Sequence, residues 1–198
     1  KVLALNGPLS AEAAIDLLWP DLEVDTGRAR LRNLLNRLKE RSGPIVSRQG
    51  AALRLDPQTY VDADRFATAA AAALAAPEHE RVGRARHALA LHPGELLPGD
   101  VYDDWAAAPR ARLQRRFVAL ADLVAEDCVA RGDLDEAASL FDLGIAAEPL
   151  DEARPLRLCR LLASQGRTGA ARHIAARTVA ALADLGVEPD PALIEFAG

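Results

Sequence analysis

The residues with the most distinctive chemistry lie in one basic stretch. Arg28, Arg30, Arg32, Arg37, Lys39 and Arg41 occupy a 14-residue window whose one acid is Glu40, and Asn33 and Asn36 sit among them. In the major groove of DNA a guanidinium can hold guanine bidentately, and a carboxamide can hold adenine. Arginine and lysine also bind phosphates, which positions a protein on a duplex without reading its sequence. The apolar residues Leu31, Leu34, Leu35 and Leu38 recur at i, i+3, i+4 and i+7, so the spacing predicts a helix over residues 26–41 with one core face. The helical step of about 100° per residue then puts Ala29, Arg32, Asn33, Asn36 and Arg37 on the opposite side, as candidates for reading bases. Arg28, Arg30 and Lys39 flank that side as candidate phosphate contacts. Arg48 lies at the tip of a following hairpin, placed to touch an adjacent minor groove. An amphipathic surface helix in an arginine-rich chain has the same look, so this stretch taken alone leaves both readings open.

Other reactive residue types do not assemble into a site. His79, His87, His92 and His173 lack the spacing and the partners of a metal-ligand set, so exposed or helix-end histidines are expected. Cys128 and Cys159 are too few for a disulfide framework or a zinc finger and are expected as buried packing residues. Asp100, Asp103 and Asp104, beside Tyr102 and Trp105, would make a general acid/base pair in an enzyme. At the start of a helix the same carboxylates simply meet its positive end, which is the reading favoured here. No phosphate-cradling glycine loop and no nucleophile motif occurs. The expectation is a protein that is not an enzyme and needs no cofactor or metal.

The elements that must position the basic stretch follow from the punctuation of the chain. Residues 1–5 read as the tail of a helix stopped by Asn6-Gly7-Pro8. Ser10 is a good N-cap for a helix whose apolar stripe is Ala13, Ala14, Leu17 and Leu18, and Pro20 ends it. After the basic helix, Ser42-Gly43-Pro44 is a break. Residues 45–48 and 52–55 then read as short strands around Gln49-Gly50. Three helices followed by a hairpin is the order of a winged helix-turn-helix, expected over residues 1–57.

From Asp62 onward the pattern is helical, near 62–76, 78–91, 105–131, 134–148, 151–165 and 168–185, with residues 92–104 as an ordered loop. Gly132 and Gly166 lie 34 residues apart, each between two helices, and that is the tetratricopeptide period. Ala137, Phe141, Gly144 and Pro149 fill the small, aromatic, small and closing positions of the first repeat; Ala171 and Ala175 fill the small positions of the second. The fold class expected is therefore mostly α: a partial winged helix-turn-helix with a small β-hairpin wing, then an all-α tetratricopeptide-like repeat domain over residues 60–191.

Composition agrees with that division of labour. Among 198 residues there are 42 alanines, 22 arginines and two lysines, a helix-favouring mixture typical of a GC-rich genome. Residues 1–56 carry nine Lys/Arg against seven Asp/Glu, a net of +2, while the remainder carries 15 against 22, a net of −7. The longest apolar run, Ala67–Ala76, is too short for a bilayer, and no signal peptide opens the chain, so a cytoplasmic protein without membrane contact is expected. With no methionine in it, the sequence is expected to be a fragment, or to lack its beginning.

The stretch Leu9–Leu55 resembles the winged helix of response-regulator-type transcription factors, through LSAEAAIDLLWPD, RARLRNLLNRLKER and IVSRQGAALRL. Tyr60–Pro191 resembles the bacterial transcriptional activator domain, through YVDADRF, GELLPGDVYDDWAAAPRARLQRRF, ARGDLDEAASLFDLGIAAEPLDE and ALADLGVEPDP. In this order the pair is similar to the antibiotic regulatory proteins of actinobacteria and to larger multidomain regulators. The resemblance implies a promoter-binding activator whose partners are double-stranded DNA, RNA polymerase and either a second copy or other domains of the same regulator. It also implies that the helix carrying Arg32, Asn33, Asn36 and Arg37 enters the major groove. The winged helix of this family opens with a small antiparallel sheet and a full first helix; the resemblance implies that this chain starts inside that helix, with the strands either upstream of Lys1 or lost from a degenerate domain. The alternative from another class is a helical interaction or signal-transmission module whose winged helix no longer binds DNA.

Overall fold

The computed structural model describes residues 1–92, 94–100 and 103–198. Pro93, Val101 and Tyr102, all in the expected 92–104 loop, lie outside the described residues. The chain forms two compact units, Lys1–Ala67 with His92–Leu113, and Thr68–Leu91 with Gln114–Gly198.

The first unit begins with α1 (Val2–Asn6), β1 (Leu9–Ser10), α2 (Ala11–Leu18) and α3 (Val24–Ser42), followed by the strands β2 (Val46–Gln49) and β3 (Ala52–Leu55). Ser10 caps α2 as expected, its Oγ accepting from the Ala13 N–H at 3.0 Å. The hairpin turns through Gly50-Ala51, with Gly50 at φ +61°, where a side chain would be strained. Leu9 and Ser10 pair antiparallel with Leu53 and Ala52, giving a three-stranded sheet of order β1-β3-β2. This third strand was not expected: two residues are too few to show an alternating pattern.

The core of this unit is Ala14, Ile15, Leu31 and Leu53, with Leu3, Leu9, Trp19, Leu35 and Val46 packed around it. Each fully buried leucine or isoleucine contributes about 1.5–3 kcal/mol, so this small cluster holds α2, α3 and the wing together. Gly27 lets α2 and α3 approach: a Cβ there would stand 2.5 Å from Ile15 Cγ2. A second cluster joins Val2 to Trp105 and Ala106, with Leu5, Leu18 and Leu97 alongside. The core face expected for α3 is narrower than its four leucines implied. Leu31 is buried and Leu35 and Leu38 are half-buried, but Leu34 is 37% exposed at the edge of the stripe.

Two helices, α4 (Asp62–Leu74) and α6 (Asp104–Arg131), run from the first unit into the second. The second unit adds α5 (Glu78–Ala90), α7 (Leu134–Ala147), α8 (Ala153–Ser164), α9 (Thr168–Asp184) and α10 (Pro191–Ala197). From α7 to α10 each helix packs on the next, the arrangement of a repeat array. The period of 34 has a physical origin in Gly132 and Gly166, whose φ values of +83° and +74° reverse the chain between helices. Ala137, Ala171 and Ala175 are buried at the helix crossings, and Phe141 is 3% exposed. Gly144 passes under Arg154, whose Cδ would lie 2.8 Å from an added Cβ. Arg154 in turn binds Asp122 at 2.9 Å, Glu148 at 2.9 Å and Asp151 at 2.6 Å, tying α6, α7 and α8 together. The helix α10 was not expected from periodicity, although Asp190 caps it by accepting from the Ala192 N–H and Pro191 stands at its first position.

Both cysteines are buried and free. The Cys159 thiol donates to the Ala171 carbonyl at 3.3 Å. Cys128 accepts from Arg86 Nη2 and donates to Glu136 Oε2, each at 3.1 Å, and burial pushes its thiol pKa up, away from thiolate chemistry. His92 packs edge-on against Phe66 with ring centroids 4.8 Å apart, and burial lowers its pKa. Among the described residues no cluster of His, Cys, Asp or Glu could hold a metal ion, and no helix is long and apolar enough to cross a membrane.

Candidate nucleic-acid interface

Helix α3 is solvated along most of its length. Arg28, Arg30, Arg32, Asn33, Asn36, Arg37 and Lys39 are all exposed. At 3.6 residues per turn, Ala29, Asn33, Asn36 and Glu40 form the ridge farthest from the buried Leu31, with Glu40 the acid at its C-terminal end. Arg28, Arg32 and Lys39 lie along one side of that ridge, and Arg30, Arg37 and Arg41 along the other. Two carboxamides are thus flanked by two rows of cations on a single rod. The helix is amphipathic enough to fix this orientation because Gly27, Leu31 and Leu35 face α2 and the wing.

The first cation row and the wing enclose a groove of about 360 Å³. Its floor is apolar, built by Leu31, Leu35, Leu38, Val46 and Leu53. Arg28, Arg32, Asn36, Lys39 and Arg48 stand around it, with Glu12 the acid on the rim. Five of the eight residues singled out in the sequence therefore meet at one place. Asn33, Arg37 and Arg30 do not line it: Arg37 Nε donates to the Asn33 carbonyl at 3.4 Å, and the Arg30 guanidinium lies 4.9 Å above the Trp19 ring.

The cations are not equivalent. Arg28 is engaged by Glu12 at 3.5 Å and by Asp25 at 3.6 Å. A hydrogen bond from its own backbone N–H, supported by Arg28, holds the Glu12 carboxyl below the usual carboxylate range. Arg48 Nε donates to the Gly50 carbonyl at 3.3 Å, across the tip of the hairpin. Among the described residues Arg32, Arg37, Lys39 and Arg41 make no ion pair. Glu12, Asp25 and Trp19 were not singled out in the sequence. Asp25 could have been found from its i, i+3 spacing to Arg28, whereas Glu12 comes from another helix and leaves no local signal.

At the start of α6, Asp100 is bound by Lys1 Nζ at 2.6 Å, and Arg110 donates to the carbonyls of Leu96 and Asp100. Trp105 is buried against Val2. These contacts pin the chain ahead of α6 through Asp100 and the carbonyls of Leu96 and Asp100.

A helix-turn-helix with a small wing, carried in one chain with stacked helix pairs, defines the class: a winged helix coupled to a helical repeat. Residues 61–197 match the bacterial transcriptional activator domain, and the chain belongs to that family. Among curated proteins, none matches this sequence significantly. Among solved structures, the chain is similar to Mycobacterium tuberculosis EmbR in complex with a low affinity phosphopeptide, at 22% identity and a TM-score of 0.66. That likeness covers 98% of this chain and 56% of the other, so the shared fold includes the winged unit as well as the repeats.

Proposed function

We propose that this protein is a DNA-binding transcriptional regulator of the actinobacterial antibiotic regulatory type. Residues 1–57 act as the promoter reader and residues 60–191 as the activator domain. Asn33 and Asn36 read base edges from the centre of α3, and Arg32 and Arg37 reach bases or the nearest phosphates. Lys39 binds the backbone, Arg28 and Arg30 do so on leaving Glu12 and Asp25 or the Trp19 ring, and Arg48 on the wing enters the adjacent minor groove. The observation that carries this reading is the exposed carboxamide ridge of α3 with a row of cations on each side. A major groove offers base edges at its centre and phosphates along both walls. The repeats contact RNA polymerase, a second copy or another domain of the same regulator, in the cytoplasm. The mechanism is recruitment, so no catalytic group is required.

Fluorescence anisotropy of the chain on duplex DNA across a salt series tests this. Binding should weaken steeply with salt and drop when Arg32, Asn33, Asn36 and Arg37 are changed together to alanine. A folded chain that binds no duplex at low salt would sink the reading in favour of an interaction module.

A further inference from the structure

The second unit holds a groove that DNA recognition does not use. It lies between α6 and α8, has a volume of about 420 Å³, and is floored by Val129, Phe141 and Leu161. Phe141 and Leu161 belong to the core of the unit, but Val129 is 42% exposed and opens the floor to solvent. On α8 the lining residues Arg157, Arg160, Leu161 and Ser164 recur at i, i+3, i+4 and i+7, one face about 10 Å long.

The rim is cationic. Arg157 reaches across to Glu126 at 2.7 Å, an ion pair whose side chains are 46% and 61% exposed. Such a pair contributes little to the fold and exchanges readily with an incoming carboxylate. Arg160 is exposed and makes no ion pair among the described residues. This unit as a whole carries twelve Lys/Arg against sixteen Asp/Glu, a net of −4. A long polyanion such as nucleic acid is repelled by that background, but a short segment with one or two carboxylates meets two local guanidiniums.

We propose that this groove docks an acidic segment of a partner protein, with an apolar side chain seated on Val129 and Phe141 and a carboxylate held by Arg160 and Arg157. Apolar burial supplies affinity, and the charge-assisted hydrogen bonds supply register. The inference is independent of the DNA reading, because none of these residues belongs to α3 or the wing.

The test is a selection from a displayed library of random dodecapeptides against the full chain, followed by fluorescence polarisation of the enriched peptides. Enriched sequences should place Leu, Ile, Phe or Met within a helical turn of Asp or Glu. Their affinity should fall about tenfold or more on Arg160→Glu and on Val129→Glu. Exchanging the peptide acid for lysine should restore binding to Arg160→Glu. Both variants change exposed positions, so circular dichroism and DNA affinity should stay as in the wild type. No enrichment, enrichment without acidic residues, or equal binding to Arg160→Glu would overturn the proposal. Each of those results leaves the DNA reading standing, since it is read on duplex in the same samples.

Discussion

The unequal engagement of the α3 cations makes a prediction that a generic basic helix does not. Each phosphate contact releases condensed counterions and contributes about −0.9 to the slope of log K against log salt. If Arg32, Arg37 and Lys39 each neutralise one phosphate, the slope from these three is about −2.7, and affinity falls about fortyfold between 50 and 200 mM salt. Removing Arg32 or Lys39 should flatten that slope by about 0.9, so that the loss of affinity is about 3.5 times larger at 50 mM than at 200 mM salt. Arg28 should behave differently. Its guanidinium sits between Glu12 at 3.5 Å and Asp25 at 3.6 Å, so a phosphate must displace two exposed pairs, each weak on its own. Arg28→Ala should therefore flatten the slope by less than a full contact, while the double change Glu12→Gln with Asp25→Asn should steepen it by freeing Arg28. The assay is anisotropy on one duplex at five or more salt concentrations, with each variant checked for an unchanged helical spectrum. A full-contact loss on Arg28→Ala, equal to that of Arg32→Ala, would refute the claim that the two acids hold it. An effect of the Glu12/Asp25 change in the opposite direction would do the same.

Three further outcomes are expected. Gly27→Ala places a methyl 2.5 Å from Ile15 Cγ2; overpacking of about 1–3 kcal/mol outweighs the helix-propensity gain of about 1 kcal/mol, so urea melts should show a less stable first unit, and a more stable variant would contradict this packing. Arg154→Leu strands Asp122, Glu148 and Asp151, which are one-quarter to one-third exposed; a loss of about 1.5–3 kcal/mol, discounted for that exposure, should lower the melting temperature by several degrees in calorimetry. Glu136 is held down to about 2, first by its hydrogen bond with Arg86 and then by Cys128. A carboxyl whose folded pKa lies below its ordinary 4.5 stabilises the fold above that value and loses the contribution as pH falls toward 2. The stability gap between wild type and Glu136→Gln, taken from urea midpoints, should therefore narrow on going from about pH 5 to about pH 3, and a constant gap would count against the pair.

What the sequence could reveal tracks how local each cause is. Helix α3 was legible because its leucine spacing, its break at Ser42-Gly43-Pro44 and its polar ridge all lie within twenty residues. The repeat was legible for the same reason: Gly132 and Gly166 act on their own turns, and their positive φ values set the period. Leu34 misled because a four-leucine stripe is wider than the surface that α2 and the wing supply to cover it, and that surface is set by Ala14, Ile15 and Leu53, elsewhere in the chain. The site divides in the same way. That Arg32, Asn33 and Asn36 share the outer side of one helix follows from the helical step alone. That Arg28 is occupied by Glu12, or Arg30 by Trp19, depends on how α2 is laid across α3, and Gly27 decides that by permitting the close approach. The close approach at Gly27 thus brings Glu12 and Trp19 within reach of Arg28 and Arg30, and this is why a basic window of six residues is a poor count of the contacts the helix can offer a phosphate backbone.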